Sequence, residues 1–220
     1  MKADGISKYK LVRFATEALR NSLRLHFDAI VLYENSSYPS AFQLSILSLE
    51  EFAKAKWIES YIWESETNEG YLDEKSESEW LNLLYSHPEK QWSYIARELF
   101  DFSPRLAKLI KSGKLEQKKQ NSIYVGFSRA KGKVDTEGRL STPLRTKSTD
   151  AKQYISLINS EFLTICKRIE DGEFYFSVKG MDQIFDYQIY SKLLQWPYAS
   201  RLKSIKWRKD WHKKKVPNQK

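Results

Sequence analysis

The sequence is poor in the residues that staple or bend small domains. Its 220 residues include one cysteine, Cys166, which excludes an intramolecular disulfide and a cysteine-based zinc site. Glycine (8) and proline (6) are scarce, which argues against turn-rich all-β folds and for long helices. No apolar run reaches the roughly 18 residues that a membrane span requires. The N-terminal stretch MKADGISKYKLVRFATEAL lacks an uninterrupted apolar segment, so it does not read as a secretory signal. Nucleotide-binding and hydrolase signatures are missing too: there is no GxxxxGK[ST], GxSxG, HExxH or CxxC. The three histidines, His26, His87 and His212, lie far apart, so a histidine-rich metal site is not expected. These absences predict a reduced, cytoplasmic, mostly helical protein with no membrane span, no metal and no cofactor.

What is present is apolar mass and unevenly placed charge. Hydrophobic residues make up 41% of the chain and aromatics 14%, enough for a core. The net charge of +9 is not spread evenly. Arg201–Lys220 carries +8, Glu59–Asp101 carries −8 and Ser103–Lys147 carries +9. Blocks of opposite sign either dock on each other or serve different partners. In the tail, RLKSIKWRKDWHKKK, Lys206, Arg208, Lys209 and Lys213 are placed to neutralise phosphates, and Trp207 and Trp211 to stack on bases. The plainer alternative is a solvated basic terminus whose two tryptophans, at i and i+4, pack on the body.

Hydrophobic periodicity lays out the helices. Leu11, Ala15, Ala18, Ser22, Leu25, Ala29 and Leu32 draw one stripe along a helix from about Ser7 to Tyr33. A turn at 34–38 leads into a second helix from about Pro39 to Ser65, with an unusually small stripe: Ala41, Ser45, Ser48, Phe52 and Ala55. Small residues let helices approach closely, which predicts an antiparallel helical hairpin. Further helices are expected from a Ser76/Glu79 capping box up to His87-Pro88, from Pro88 to about Asp101, and from a Ser103-Pro104 cap to about Asn121. Residues 122–127 read as one short extended segment with Tyr124 in the core, and 128–147 as a loop. The last helices fall at about Thr149–Glu170, Met181–Gln195 and, after Pro197, to about Lys213. Cys166 lies near a buried stripe, as a small apolar residue would.

Three clusters can carry chemistry. In the second helix, Glu50 and Glu51 stand four and three residues before Lys54, on one side of the helix. Glu51 flanks the small-residue seam, and a partly buried carboxylate needs a partner. In Ser86-His87-Pro88-Glu89-Lys90, His87 can act as acid or base near neutral pH and Lys90 can hold a phosphate; a helix-capping histidine is the structural alternative. Arg20 and His26 fit an Arg-x4-6-His ribonuclease spacing, but six residues rotate a helix by roughly 240°, so the two side chains diverge.

The order of these motifs resembles that of the AbiV-type abortive infection family of HEPN-like proteins. The matching pieces are SSYPSAFQLSILSLEEFAKAKWI with Glu50, Glu51 and Lys54; SHPEK with His87 and Lys90; and IYVGF at Tyr124-Val125, followed by Ser141-Thr142-Pro143. The chain departs from the pattern at KKQNS before Tyr124 and at Gly126. The resemblance implies an all-α, HEPN-like antiparallel helical bundle over 1–172, with a helical extension and basic tail over 173–220. It also implies an antiphage effector that shuts down the infected cell, blocking translation through RNA or the translation machinery. The partners implied are a second copy in a homodimer, RNA, and a phage-encoded protein as trigger. His87 becomes an acid/base or phosphate contact, Lys90 and Lys54 phosphate neutralisers, and Glu50 and Glu51 orienting partners in a metal-independent ribonuclease. The alternative is a non-catalytic binding module that grips a phage protein or a nucleic acid.

Overall fold

A computed structural model describes residues 6–215 except 68, 69, 71, 97, 128, 131, 132, 135, 139 and 179; it leaves the side chains of 74, 129, 130, 133 and 211–215 undescribed. The first helix, α1 (Lys8–Glu34), opens on Ser7, whose side chain accepts from the Lys10 amide. Its predicted stripe is buried from Leu11 through Ala29. Asn35 closes the helix and Ser36 turns the chain at φ 61°. The second helix, α2 (Tyr38–Thr67), then packs back along α1. All five small-stripe residues are buried. At the crossing, Ser22 Oγ donates to the Ser48 carbonyl (2.6 Å) and Ser48 Oγ to the Ser22 carbonyl (2.7 Å). Two backbones held this close leave no room for a larger side chain. Ser48→Leu is expected to cost about 1–3 kcal/mol by overpacking, read from urea unfolding. The stripe, which would equally suit a dimer seam, is filled within the chain by α1.

The α1/α2 hairpin is crossed by α7 (Ser148–Glu170), which brings Tyr154, Ile155, Ile158, Phe162 and Ile165 into the core. Cys166 is buried there, and burial pushes its thiol up to about 12. Between α2 and α7 run α3 (Glu74–Leu83), α4 (His87–Ala96), α5 (Pro104–Lys111) and α6 (Lys114–Asn121). The protein is an all-α helical bundle. Among the described residues no helix is long and apolar enough to cross a membrane.

Several boundaries differ from the sequence reading. The cap of α3 is Asp73, whose carboxylate accepts from both the Ser76 amide and the Ser76 hydroxyl, so Ser76 lies inside the helix it was expected to open. The basic helix expected over 104–121 is two: Ser112 ends α5, and Gly113 at φ 67° turns the chain into α6. Met181–Gln195 is a 3-10 turn (Asp182–Ile184) and then α8 (Tyr187–Leu194), capped by Asp186. The extended segment makes one bridge, Gly126 to Ser141, ahead of a two-residue hairpin, β1 (Arg129–Ala130) with β2 (Lys133–Val134). Tyr124 is 62% exposed rather than in the core.

The C-terminal stretch is woven into the bundle. Phe176, Met181 and Phe185 join the core around Phe52 and Phe162, while Trp196 and Leu202 join the one around Phe42 and Ile155. Residues 202–204 run extended against 101–103, with the Ser103 amide donating to the Leu202 carbonyl and the Ser204 amide to the Asp101 carbonyl, both at 2.7 Å. This strap buries Lys203, which forms an ion pair with Glu161 and lies 4.1 Å from the Phe102 ring centre. Beyond the strap, α9 (Ile205–Lys215) begins where Ser204 Oγ accepts from the Trp207 amide, later than the expected start after Pro197.

Candidate functional site

One carboxylate gathers the site. Glu50 faces inward from α2, its side chain 1% exposed. His87, the first residue of α4, meets it with Nδ1 at 2.6 Å from Oε2. Gln91, one turn further along α4, donates from Nε2 to Oε1 at 2.7 Å. From α6, Lys119 donates to Oε1 at 2.8 Å, and Lys90 stands 4.0 Å from Oε2. Glu116 completes the group, accepting from Lys119 at 2.8 Å and from Gln91 at 2.9 Å. Three helices are thus pinned on one buried negative charge.

Electrostatics follows from this packing. Burial pushes the Glu50 carboxyl upward, but the contacts from His87, Lys119 and Gln91 outweigh it and hold the group below its ordinary range. Burial pulls the Lys90 ammonium down, with Lys54 and Lys119 as like-charged neighbours, against the pull of Glu50 and Glu51. An ionised Glu50 only accepts hydrogen bonds, so His87 presents Nδ1–H to it. In the neutral ring Nε2 then keeps the lone pair. The His87 side chain is 45% exposed, whereas Lys90 and Lys119 are below 10%. His87 is thus the most exposed of the three basic side chains of the network.

The expected residues divide accordingly. Glu50, His87 and Lys90 come together. Glu51 and Lys54 form their own ion pair, largely buried on the next turn of α2. Arg20 and His26 do not meet: Arg20 is paired with Glu17 at the surface, and His26 is fully buried against Asn159 (2.9 Å). On α9, Lys206 and Lys209 are exposed and Arg208 is half-buried, while Trp207 lies 4.8 Å from Lys203 Nζ. The side chains of Trp211 and Lys213 lie outside the described residues.

Gln91, Glu116 and Lys119 were not singled out from sequence. A signal existed in α6: Leu115 and Lys119 are i and i+4, so the one apolar residue of KLEQKKQN marks the face on which Lys119 turns inward.

Glu50, His87 and Glu116 bring ligand atoms within 4.8 Å of one another, a donor set that suits a small metal site. Lys119, 2.8 Å from both carboxylates, already supplies a fixed positive charge between them. A divalent ion there has to displace that ammonium.

The HEPN AbiV family model matches residues 10–164. No curated protein and no solved structure matches the chain. The matched span takes in α1, α2, α4 and α6, and with them every residue of the Glu50 network. Covering well over half of the sequence, it makes this chain a member of the AbiV family of HEPN proteins.

Proposed function

We propose that this protein is an antiphage effector of abortive infection that shuts down the infected cell by acting on RNA of the translation machinery, with His87 as its proton-transferring residue. One observation carries the catalytic part: a half-exposed imidazole whose inner nitrogen is fixed at 2.6 Å by a buried, ionised carboxylate. Such a carboxylate sets the tautomer and stabilises the imidazolium that forms when the ring takes a proton. His87 Nε2 removes the proton of an RNA 2′-hydroxyl as that oxygen attacks the adjacent phosphorus. The bond to the 5′-oxygen breaks, and the imidazolium is the acid for the leaving oxygen. The products are a 2′,3′-cyclic phosphate and a free 5′-hydroxyl. Lys90 and Lys119 keep Glu50 ionised in this reading, and Lys54 is held by Glu51. The protein acts in the cytoplasm as a homodimer, triggered by a phage-encoded protein, a reading that family membership supports.

A second reading has its own support. Lys90 and Lys119 are buried and paired, as in a network that serves only to fix three helices, and Lys54 is held within α2 by Glu51. The protein is then a non-catalytic module that blocks translation by contact.

His87→Asn separates the two. The asparagine amide still donates to Glu50 but cannot carry a proton. In phage-challenged cells, wild type is expected to fragment tRNA, rRNA or mRNA. The variant is expected to fold normally and cut about 10²–10⁴-fold more slowly. Intact RNA and arrested amino-acid incorporation with both proteins establishes the binding reading instead.

A further inference from the structure

Three open cavities border one another through shared lining residues. The first, about 780 Å³, lies between α6 and the loop after it, with Glu116 in its wall and Tyr124 and Phe127 exposed along it. The second, about 300 Å³, shares Asn121 and Ser141 with the first and adds Lys118 and Arg145. The third, about 460 Å³, shares Lys118 and Asp150 with the second and adds Arg105, Lys152 and Arg201. Shared walls make them one trench. Its aromatic end meets the Glu50 network, because the Glu116 carboxylate lies within 4.8 Å of a His87 ring nitrogen. Away from that end the lining is basic, with Arg145 in the second cavity and Arg105 and Arg201 in the third, all exposed. Both acidic side chains among its described lining residues are ion-paired: Asp150 with Lys118 at 3.1 Å, and Glu116 at 2.8 Å with Lys119, which it shares with Glu50.

We infer that this trench is the track of a single-stranded RNA, with bases stacked on Tyr124 and Phe127 and backbone phosphates held by Arg105, Arg145 and Arg201. The assignment rests on the RNA reading proposed above and says where the strand lies. Exposed aromatic faces suit unpaired bases, since a duplex hides its own. Arginines away from the aromatic end suit phosphates, and the planar guanidinium grips them in pairs of hydrogen bonds. Gln117 and Gln120 line the aromatic end with amides that can meet base edges. A strand stacked there runs past Glu116, which brings its ribose-phosphate to the His87 side. The basic block over 103–147 furnishes most of these walls, and the start of the C-terminal tail adds Arg201 and Leu202.

The test uses the full chain carrying His87→Asn, so that bound RNA stays uncut, and a short labelled single-stranded RNA followed by fluorescence anisotropy. The pair Tyr124→Ala and Phe127→Ala is expected to raise Kd about tenfold or more without changing the salt dependence. The triple variant Arg105→Gln, Arg145→Gln, Arg201→Gln is expected to weaken binding and to flatten the slope of log K against log salt by about 2, at roughly 0.7 per phosphate. Every substituted side chain is exposed, so melting temperatures should not move.

Wild-type affinity in both trench variants overturns the assignment, as does loss of binding only when 205–220 is removed. Tighter binding of polyglutamate than of RNA overturns it in favour of an acidic protein partner. Equal affinity for duplex RNA overturns the single-strand geometry. Failure of the catalytic reading looks different: RNA is held by the trench, lost in its variants, and left uncut by the chain with His87 intact. Conversely, cleavage that depends on His87 together with unaltered binding in the trench variants sinks the trench alone.

Discussion

Glu50→Ala is expected to destabilise the protein by about 3–5 kcal/mol, the cost of removing one partner from a buried ionic group. Truncating a glutamate at the surface costs little, but Glu50 is the anion around which Lys119, Lys90, His87 and Gln91 are arranged. Its loss leaves the Lys119 ammonium buried with Glu116, and Lys90 buried with the pull of Glu51 but without its ion-pair partner. For a chain of this size each kcal/mol moves the melting temperature by roughly 2–4 °C, so the transition should fall by about 6–20 °C. Lys119→Met alone is also expected to destabilise. The double variant Glu50→Ala, Lys119→Met should cost less than the sum of the two, because removing both takes away the charge that each single variant leaves without its partner. A drop of only a few tenths of a kcal/mol in Glu50→Ala means that water reaches the network and that Glu50 is not the anchor of the three helices.

Acid should weaken the fold in two separate windows. His26 is fully buried; it donates from Nε2 to Asn159, and Nδ1 has no hydrogen-bond partner. Phe27 and Phe162 stand 5.5 and 5.4 Å from its ring centre, so a proton on Nδ1 meets no acceptor. Burial lowers the group to about 4, against the opposing Asn159 bond. The unfolded chain therefore takes up this proton near pH 6.5, well before the folded one does. Stability is complete above pH 6.5 and falls as pH drops from 6.5 to about 4. At about 1.4 kcal/mol per unit, the loss approaches 3 kcal/mol. Glu50 has the opposite chemistry and the same sign. Its depressed carboxyl contributes stability above the ordinary value of 4.5, and that contribution goes only as pH falls below it. Urea unfolding of His26→Gln between pH 7 and 4 should lose most of the upper slope while keeping the lower one. An unchanged slope assigns the upper window to other groups.

Much of the bundle was legible because its helices repeat. Leu11 through Ala29 and Ala41 through Ala55 sit at helical spacing, and the serine and alanine content of the second stripe announced a close crossing that Ser22 and Ser48 make. Ser103-Pro104 was readable as a cap because that pair has one dominant use. The α3 cap was not, since Asp73 and Ser76 are both good caps and only the fold decides between them. Gly113 carried the signal for the break between α5 and α6. Glu50 and His87 were legible as candidates but not as neighbours, because no local rule joins residues 37 positions apart. Trp207 illustrates the remaining limit. In the sequence it belongs to a basic tail, yet its ring is matched to Lys203, whose burial follows from a carboxylate on α7.

That last pairing has a consequence for how the protein is made. Glu161 leaves the ribosome long before Lys203, and synthesis proceeds at about 5–20 residues per second. For several seconds the nascent chain holds everything needed for α1, α2, α4, α6 and α7, and so the whole Glu50 network, while Glu161 has no cation and the 101–103 segment no strap. An uncompensated carboxylate in that position opposes closure of the bundle until the final stretch emerges. Chains aborted before residue 203 lack both this ion pair and the strap, and are expected to be degraded more readily than full-length chains.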